Sequence, residues 1–300
     1  MPDGGGQDLP VTDDYLPTLR GTALIAAPPR TVAAVVAETW LMRETLQRFG
    51  VRVDAEQSGQ LGVGDELVIT LRPFRSPLRC PVTLRVVTAD ETGVLLAGSG
   101  CLPRVQVSAA VTPTEDGATL LTYGIGWLAP GSGLGRWLDL VLGRRLVLRL
   151  LPALLTGVRQ RSARLATAPV VVGAVIHEGA MVLAAQRDHP PAAAGRWEFP
   201  GGRVEDGEDE PAALARECRE ELKADIEVTD RLGPDLVLSN GWLLRLYAAT
   251  LARGAQPVAG EHRAIRWVSE AQFGELDWLD ADRLVLPAVA ALLSGATDPA

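Results

Sequence analysis

The stretch "GGRVEDGEDEPAALARECREELKAD", Gly201 to Asp225, decides how the second half of the chain is read. Within it, "RECREEL" (216–222) sets Glu217, Glu220 and Glu221 inside five residues. On a helix these positions are i, i+3 and i+4 and share one face. Like charges at that spacing repel by roughly 0.2–0.5 kcal/mol per pair. They also lie toward the C-terminal end, where the helix dipole disfavours anions. Leu214, Cys218 and Leu222 recur every four residues and mark a buried stripe. The spacing therefore predicts a helix over 210–222 whose acids project at the rim of a core-packed face. Arg216 can pair with Glu220 four residues on. Taken alone, the run reads as a solvated acidic face.

The loop before the helix changes that reading. "FPGG" (199–202) ends a strand-like segment with backbone that other groups can approach closely. Five residues separate Gly202 from Glu208, and seven more lead to Arg216-Glu217. The pattern matches the Nudix box, G-x5-E-x7-R-E-U-x-E-E-x-G-U, with Cys218 at the first apolar position. The second half thus resembles the Nudix hydrolases, which cleave a nucleoside diphosphate linked to another group. The resemblance implies an α/β/α fold over 166–300. It also implies a divalent cation, Mg²⁺ or else Mn²⁺, and hard oxygen ligands suit both.

By that resemblance Glu217, Glu220 and Glu221 are metal ligands, with the Gly201 carbonyl as a further one. Arg216 and Glu208 orient the glutamates. The general base is Glu217 or a later-loop acid, Glu261 in "VAGEHRAIRWVS", which would also lie near the metal. The alternative for Glu261 is an exposed loop acid, and His262 beside it reads as structural or solvent-facing. The end of the box departs from the pattern: Lys223 replaces the late Gly and Ala224 the following apolar residue. That Gly ends the helix in a left-handed conformation, which Lys adopts at a cost on the order of 1 kcal/mol.

"RWEFPGGRVE", "EHRAIRWV" and "LDWLDADRLVLPAV" together resemble the MutT/CTP-pyrophosphohydrolase branch. The implied reaction is hydrolysis of a normal or oxidised (d)NTP to monophosphate and pyrophosphate, as in nucleotide pool sanitation. Gly202, Arg187 and Asp282 would contact substrate. Arg187 is otherwise a surface residue, and Asp282, which could accept from a base amino group, is otherwise a helix N-cap. The other functions considered are hydrolysis of ADP-ribose, a dinucleotide or a nucleotide sugar, and a non-catalytic sensor of nucleotide or apolar ligand. The sequence leaves the base and the oligomeric state open.

Charge agrees with a nucleotide reached through metal ions. Residues 1–165 carry a net +2 and residues 166–300 a net −10, so a basic surface for long nucleic acid is not expected. Apolar residues make up 47% of 300, enough for sizeable cores. No run of about 18 uncharged apolar residues occurs, so no membrane span is expected. Cys80, Cys101 and Cys218 are far apart and read as buried thiols rather than a disulfide framework. Residues 1–18, Gly/Pro-rich and acidic, read as a disordered tail on a cytoplasmic protein.

The remaining first half, 19–165, reads as strand (21–27), two helices within the helical stretch 30–49 and six strands between 51 and 128. A long helix then runs from about 131 to 165, with Pro152 as a kink. With "APPRTVAAVVAE" and "PGSGLGRWLD", this order resembles the START/polyketide-cyclase-like (SRPBCC) helix-grip superfamily. There a curved antiparallel sheet wraps a long C-terminal helix. The resemblance implies a two-domain α+β then α/β/α chain and the possibility of an apolar ligand in the first domain.

Overall fold

The computed structural model describes residues 18–55, 59–71, 79–128 and 143–295. The expected tail lies outside these, save Thr18, which opens β1, as does the expected helix before residue 143. Strand β1 (Thr18–Ile25) leads to α1 (Pro29–Val36) and α2 (Thr39–Gln47). Pro29 occupies the first turn of α1, where its missing N–H is not needed.

Two helices were expected within 30–49, and the structure places the break between them at Glu38. Glu38 is extended, with φ −69° and ψ 114°, and only 6% exposed. Its carboxylate meets the Arg161 guanidinium at 3.0 Å. Apolar periodicity runs unbroken across this point, but a buried carboxylate needs its distant partner.

Strands β2 (Val51–Ala55), β3 (Glu66–Leu71), β4 (Cys80–Asp90), β5 (Gly93–Gly100), β6 (Val105–Pro113) and β7 (Thr119–Trp127) follow. With β1 they form a curved antiparallel sheet, ordered β1-β7-β6-β5-β4-β3-β2. Helix α3 (Arg144–Leu165) packs on β1, β7, α1 and α2 through Leu150, Leu151, Leu154, Leu155 and Val158. The buried-thiol reading fails for two cysteines: Cys80 and Cys101 form a disulfide, with Cα atoms 5.4 Å apart. Antiparallel pairing of β4 with β5 closes the 21-residue separation that hid the pair in the sequence. Cys218 is free and buried, as expected.

The second half is a mixed sheet with helices on both faces. Strands β8 (Val170–Glu178) and β9 (Met181–Gln186) form the expected hairpin around Gly179-Ala180. Next come β10 (Trp197–Glu198), β11 (Gly201–Arg203), α4 (Glu210–Leu222), β12 (Ile226–Val237), β13 (Leu243–Leu251) and β14 (Ala264–Ser269). A 3-10 turn (Glu270–Glu275) precedes α5 (Asp280–Gly295). The order is β10-β9-β8-β13-β12, with β8 and β13 parallel, β11 paired to β8 and β14 to β9.

Side chains alternate along β8. Val172, Ala174 and Ile176 meet Leu214, Cys218 and Leu222 of α4, while Val175 faces Val285, Val289 and Leu293 of α5. Among the described residues no helix is long and apolar enough to cross a membrane.

Candidate active site

Helix α4 forms where the sequence favours it. The Asp209 side chain accepts from the Ala212 N–H at 2.8 Å, and Pro211 sits in the first turn. Burial of Ala213, Leu214, Cys218 and Leu222 turns the acids to the rim beside β11. Lys223 ends the helix at φ 54°, ψ 30°, the left-handed conformation expected of a Gly there. It is the one non-glycine residue with positive φ among the described residues. Its Nζ donates to the Glu220 carbonyl at 2.8 Å, a partner for one free carbonyl of the last turn.

The loop and the helix meet closely. A Cβ on Gly202 would lie 2.2 Å from the Glu217 carboxyl carbon, so only glycine fits that approach. The Gly201 N–H donates to Glu221 Oε2 at 2.9 Å. The Arg216 guanidinium holds both Glu208 oxygens, at 3.1 and 3.0 Å. It reaches Glu217 Oε1 at 2.9 Å, Glu220 Oε2 at 3.6 Å and the Arg203 carbonyl at 2.9 Å. The Arg216 bond holds the Glu208 carboxyl below its usual range. Burial pushes Glu221 up to about 7.

Glu217 and Glu221 are partly buried while Glu220 is exposed, as their places around the helix predict. Among the described residues no three acids, cysteines or histidines converge on one point.

A second polar cluster lies beside the first. Glu198 on β10 pairs with Arg187, and its other oxygen lies 3.3 Å from His262 Nε2. Arg187 Nε also donates to the His189 carbonyl at 2.9 Å, so Arg187 is held rather than free at the surface. His262, expected to be structural or solvent-facing, has a side chain only 5% exposed. Its pKa is raised despite burial, through the Glu198 bond and the Glu221 charge.

Asp282 lies inside the first turn of α5 and is not its N-cap. Its Oδ1 accepts from the Phe199 N–H at 3.0 Å, and burial pushes it up to about 7. Glu261 is exposed, its backbone N–H 3.3 Å from the Glu221 carbonyl. Glu198 was not anticipated, although an acid between Trp197 and Phe199 in an apolar run was a readable signal.

A domain-family model described as NUDIX domain matches residues 167–289. "Putative 8-oxo-dGTP diphosphatase 2" of Mycobacterium tuberculosis is 48% identical over 129 residues, covering 42% of this chain and 90% of that protein. The chain belongs to the NUDIX family. The CTP pyrophosphohydrolase of Escherichia coli K12 is 34% identical over 123 residues, covering 41% of this chain and 91% of that protein. The solution structure of the E. coli ORF135 protein is 32% identical, with a TM-score of 0.37, covering 43% of this chain and 92% of that one. NUDIX hydrolases act on small nucleotides and generally use a divalent metal, and the rim of α4 supplies the carboxylates such an ion prefers.

Proposed function

We propose that the chain hydrolyses a normal or oxidised (d)NTP to nucleoside monophosphate and pyrophosphate, with Mg²⁺ or else Mn²⁺. One observation carries the reading: the rim of α4 meets the Gly201-Gly202 loop, with Glu217 against Gly202 and Glu221 bonded to the Gly201 N–H, while Glu220 lies exposed on the same rim. The names of the M. tuberculosis and E. coli relatives, a diphosphatase and a pyrophosphohydrolase of triphosphates, support this substrate class.

The donor chemistry fits a hard cation. Glu221 is a partly buried carboxylate whose burial raises its pKa to about 7, a penalty that a bound cation would relieve. We assign Glu217, Glu220, Glu221 and the Gly201 carbonyl to the metal, with Glu261 at its edge. When bound, a divalent ion stabilises charge on phosphoryl oxygens and acidifies water. Glu208 and Arg216 hold Glu217 in place. Glu217 is ion-paired at 2.9 Å, whereas Glu261 has no ion pair among the described residues, so we assign the general base to Glu261. Gly202 lets phosphate approach the loop backbone. Asp282 and Glu198 face the base, and Arg187 would release Glu198 to reach a phosphate.

Glu220→Gln and Glu221→Gln should each lower turnover by about 10² or more without unfolding. The assay is phosphate release with coupled pyrophosphatase across normal and oxidised (d)NTPs, ADP-ribose, nucleotide sugars and dinucleotides. Full activity in both variants would refute the metal assignment. Lack of turnover across the panel would favour the sensor.

We further read 19–165 as a helix-grip domain of SRPBCC type and 166–300 as the NUDIX domain; Thr18, expected in the tail, belongs to β1. The sheet order and the packing of α3 support the middle assignment. A cavity of about 340 Å³ between α3 and the sheet is lined by Met42, Leu46, Val105, Tyr123, Trp127 and Leu150. We propose an apolar ligand there, to be tested by native mass spectrometry after solvent extraction. Triphosphate chemistry points to the cytoplasm, where the Cys80–Cys101 disulfide would be unusual.

A further inference from the structure

The residues assigned to the reaction lie in the second half of the chain, yet a buried polar chain joins them to the first. Strand β12 is the edge of the second sheet, and an edge leaves backbone groups unpaired. Gln60 fills that place. Its Oε1 accepts from the Val237 N–H at 2.8 Å, and its Nε2 donates to the Asp235 carbonyl at 3.1 Å and to the Ala34 carbonyl at 3.0 Å. Beside it, Thr31 Oγ1 on α1 donates to Asp235 Oδ2 at 2.7 Å. Thr31 and Asp235 are fully buried.

Asp235 is shared by two arginines, Arg231 and Arg245, the latter at 3.4 Å. Arg245 turns its Nη1 onto Glu210, whose other oxygen accepts from the Tyr247 hydroxyl at 2.6 Å. Two arginines thus face two carboxylates, balancing the charge around the fully buried Asp235 in a cluster whose other members are partly exposed. Glu210 opens α4. Glu217 follows seven residues on, about 10 Å along the axis. At that end the clearance is small, because a Cβ on Gly202 would strike Glu217. A small shift of α4 would therefore move the glutamates relative to the loop.

We infer that the first half is a positioning element for the helix that bears the glutamates. Thr31 and Gln60 fix β12, Asp235 fixes Arg245, and Arg245 fixes Glu210 at the start of α4. The inference rests on the assignment of Glu217, Glu220 and Glu221 to the reaction. No first-half residue touches substrate in this scheme. The chain of contacts runs from Thr31 through Asp235 and Arg245 to Glu210, two turns of helix from the site.

The test uses the full chain. Thr31→Val keeps the volume and drops the donor, Thr31→Ser keeps the donor, and Glu210→Gln weakens the far end. Turnover of a nucleoside triphosphate with Mg²⁺ is measured beside amide hydrogen exchange over 210–222. We expect Thr31→Val to lower kcat about ten-fold with KM within about two-fold. Exchange in the first turn of α4 should rise about ten-fold, and Thr31→Ser should behave as wild type in both readouts. The Thr31→Val, Glu210→Gln double variant should lose little more than the worse single one, as residues of one network do. Unchanged exchange over 210–222 in both single variants, or kcat losses that multiply, would overturn the inference. If the wild type turns over no triphosphate, the proposed reaction fails on its own, and the exchange data still decide the positioning.

Discussion

Gly202→Ala separates the site from the fold with one methyl group. The added Cβ would lie 2.2 Å from the Glu217 carboxyl carbon and 2.4 Å from each oxygen, where ordinary contact begins at 3.4 Å. The carboxylate must therefore retreat by about 1 Å, the scale of misplacement that can cost about 10²-fold in rate. The obstacle is the end of a flexible side chain, so folding should lose only the off-rotamer cost, about 0.5–1.5 kcal/mol. That corresponds to a few degrees in Tm for a chain of this size.

The neighbouring residue supplies the contrast. A Cβ on Gly201 would lie 2.1 Å from the Val172 carbonyl oxygen, at φ +153°, with backbone that cannot swing aside. Gly201→Ala should thus destabilise the fold by about 1–3 kcal/mol through strain alone. The assay is kcat at saturating Mg²⁺ with Tm by circular dichroism. Gly202→Ala should show kcat down about 10²-fold with Tm nearly kept. Turnover within about three-fold of wild type would refute the assignment of Glu217, since a displaced ligand should cost far more than that.

Other changes probe separate parts of the structure. Lys223→Gly relieves the left-handed conformation at φ 54° and should stabilise by about 0.5–1 kcal/mol, read as a higher denaturation midpoint; a lower midpoint would mean that the Nζ bond to the Glu220 carbonyl outweighs the backbone term. Burial pushes Asp282 up to about 7, so the folded chain holds that proton more tightly than the unfolded one, and its contribution to stability falls as pH rises from about 4 to 7. Asp282→Asn keeps an acceptor for Phe199, so its Tm advantage over wild type should be larger at pH 8 than at pH 5; an equal difference would contradict the buried-carboxylate account. Denatured, unreduced protein should titrate one thiol, Cys218, and reduced protein all three cysteines.

What could be read in the sequence is what local chemistry decides. Helix α4 begins and ends where Asp209, Pro211, the Leu214-Cys218-Leu222 stripe and the box predict. The six strands between 51 and 128 fall within a residue of the alternating runs, whereas β1 begins three residues before the expected 21–27. The unread features all depend on distant partners. Glu38 marks the break between α1 and α2, and its partner Arg161 lies 123 residues later. Gln60 and Asp235 meet across 175 residues, and Glu198 and His262 across 64. No periodicity encodes such pairs, because the packing of elements far apart in the chain brings them together.

The three glutamates look like a liability on a bare helix, and the fold divides the conflict unequally. Arg216 reaches two of them and is itself fixed by both oxygens of Glu208, which raises its own pKa. Pairing to Glu220 at i+4 was anticipated, but at 3.6 Å it is the longer of these contacts. Glu217 at 2.9 Å takes the greater share. Glu220, exposed, is screened by water. Glu221 has neither relief: it has no arginine partner among the described residues, only the Gly201 N–H at 2.9 Å and the nearby His262. For this partly buried carboxylate the main penalty is burial itself, with the neighbouring Glu198 and Glu217 charges adding to it. That carboxylate accepts from the loop proposed to supply the carbonyl ligand, so a cation held between them would offset the penalty that burial imposes on its charged form.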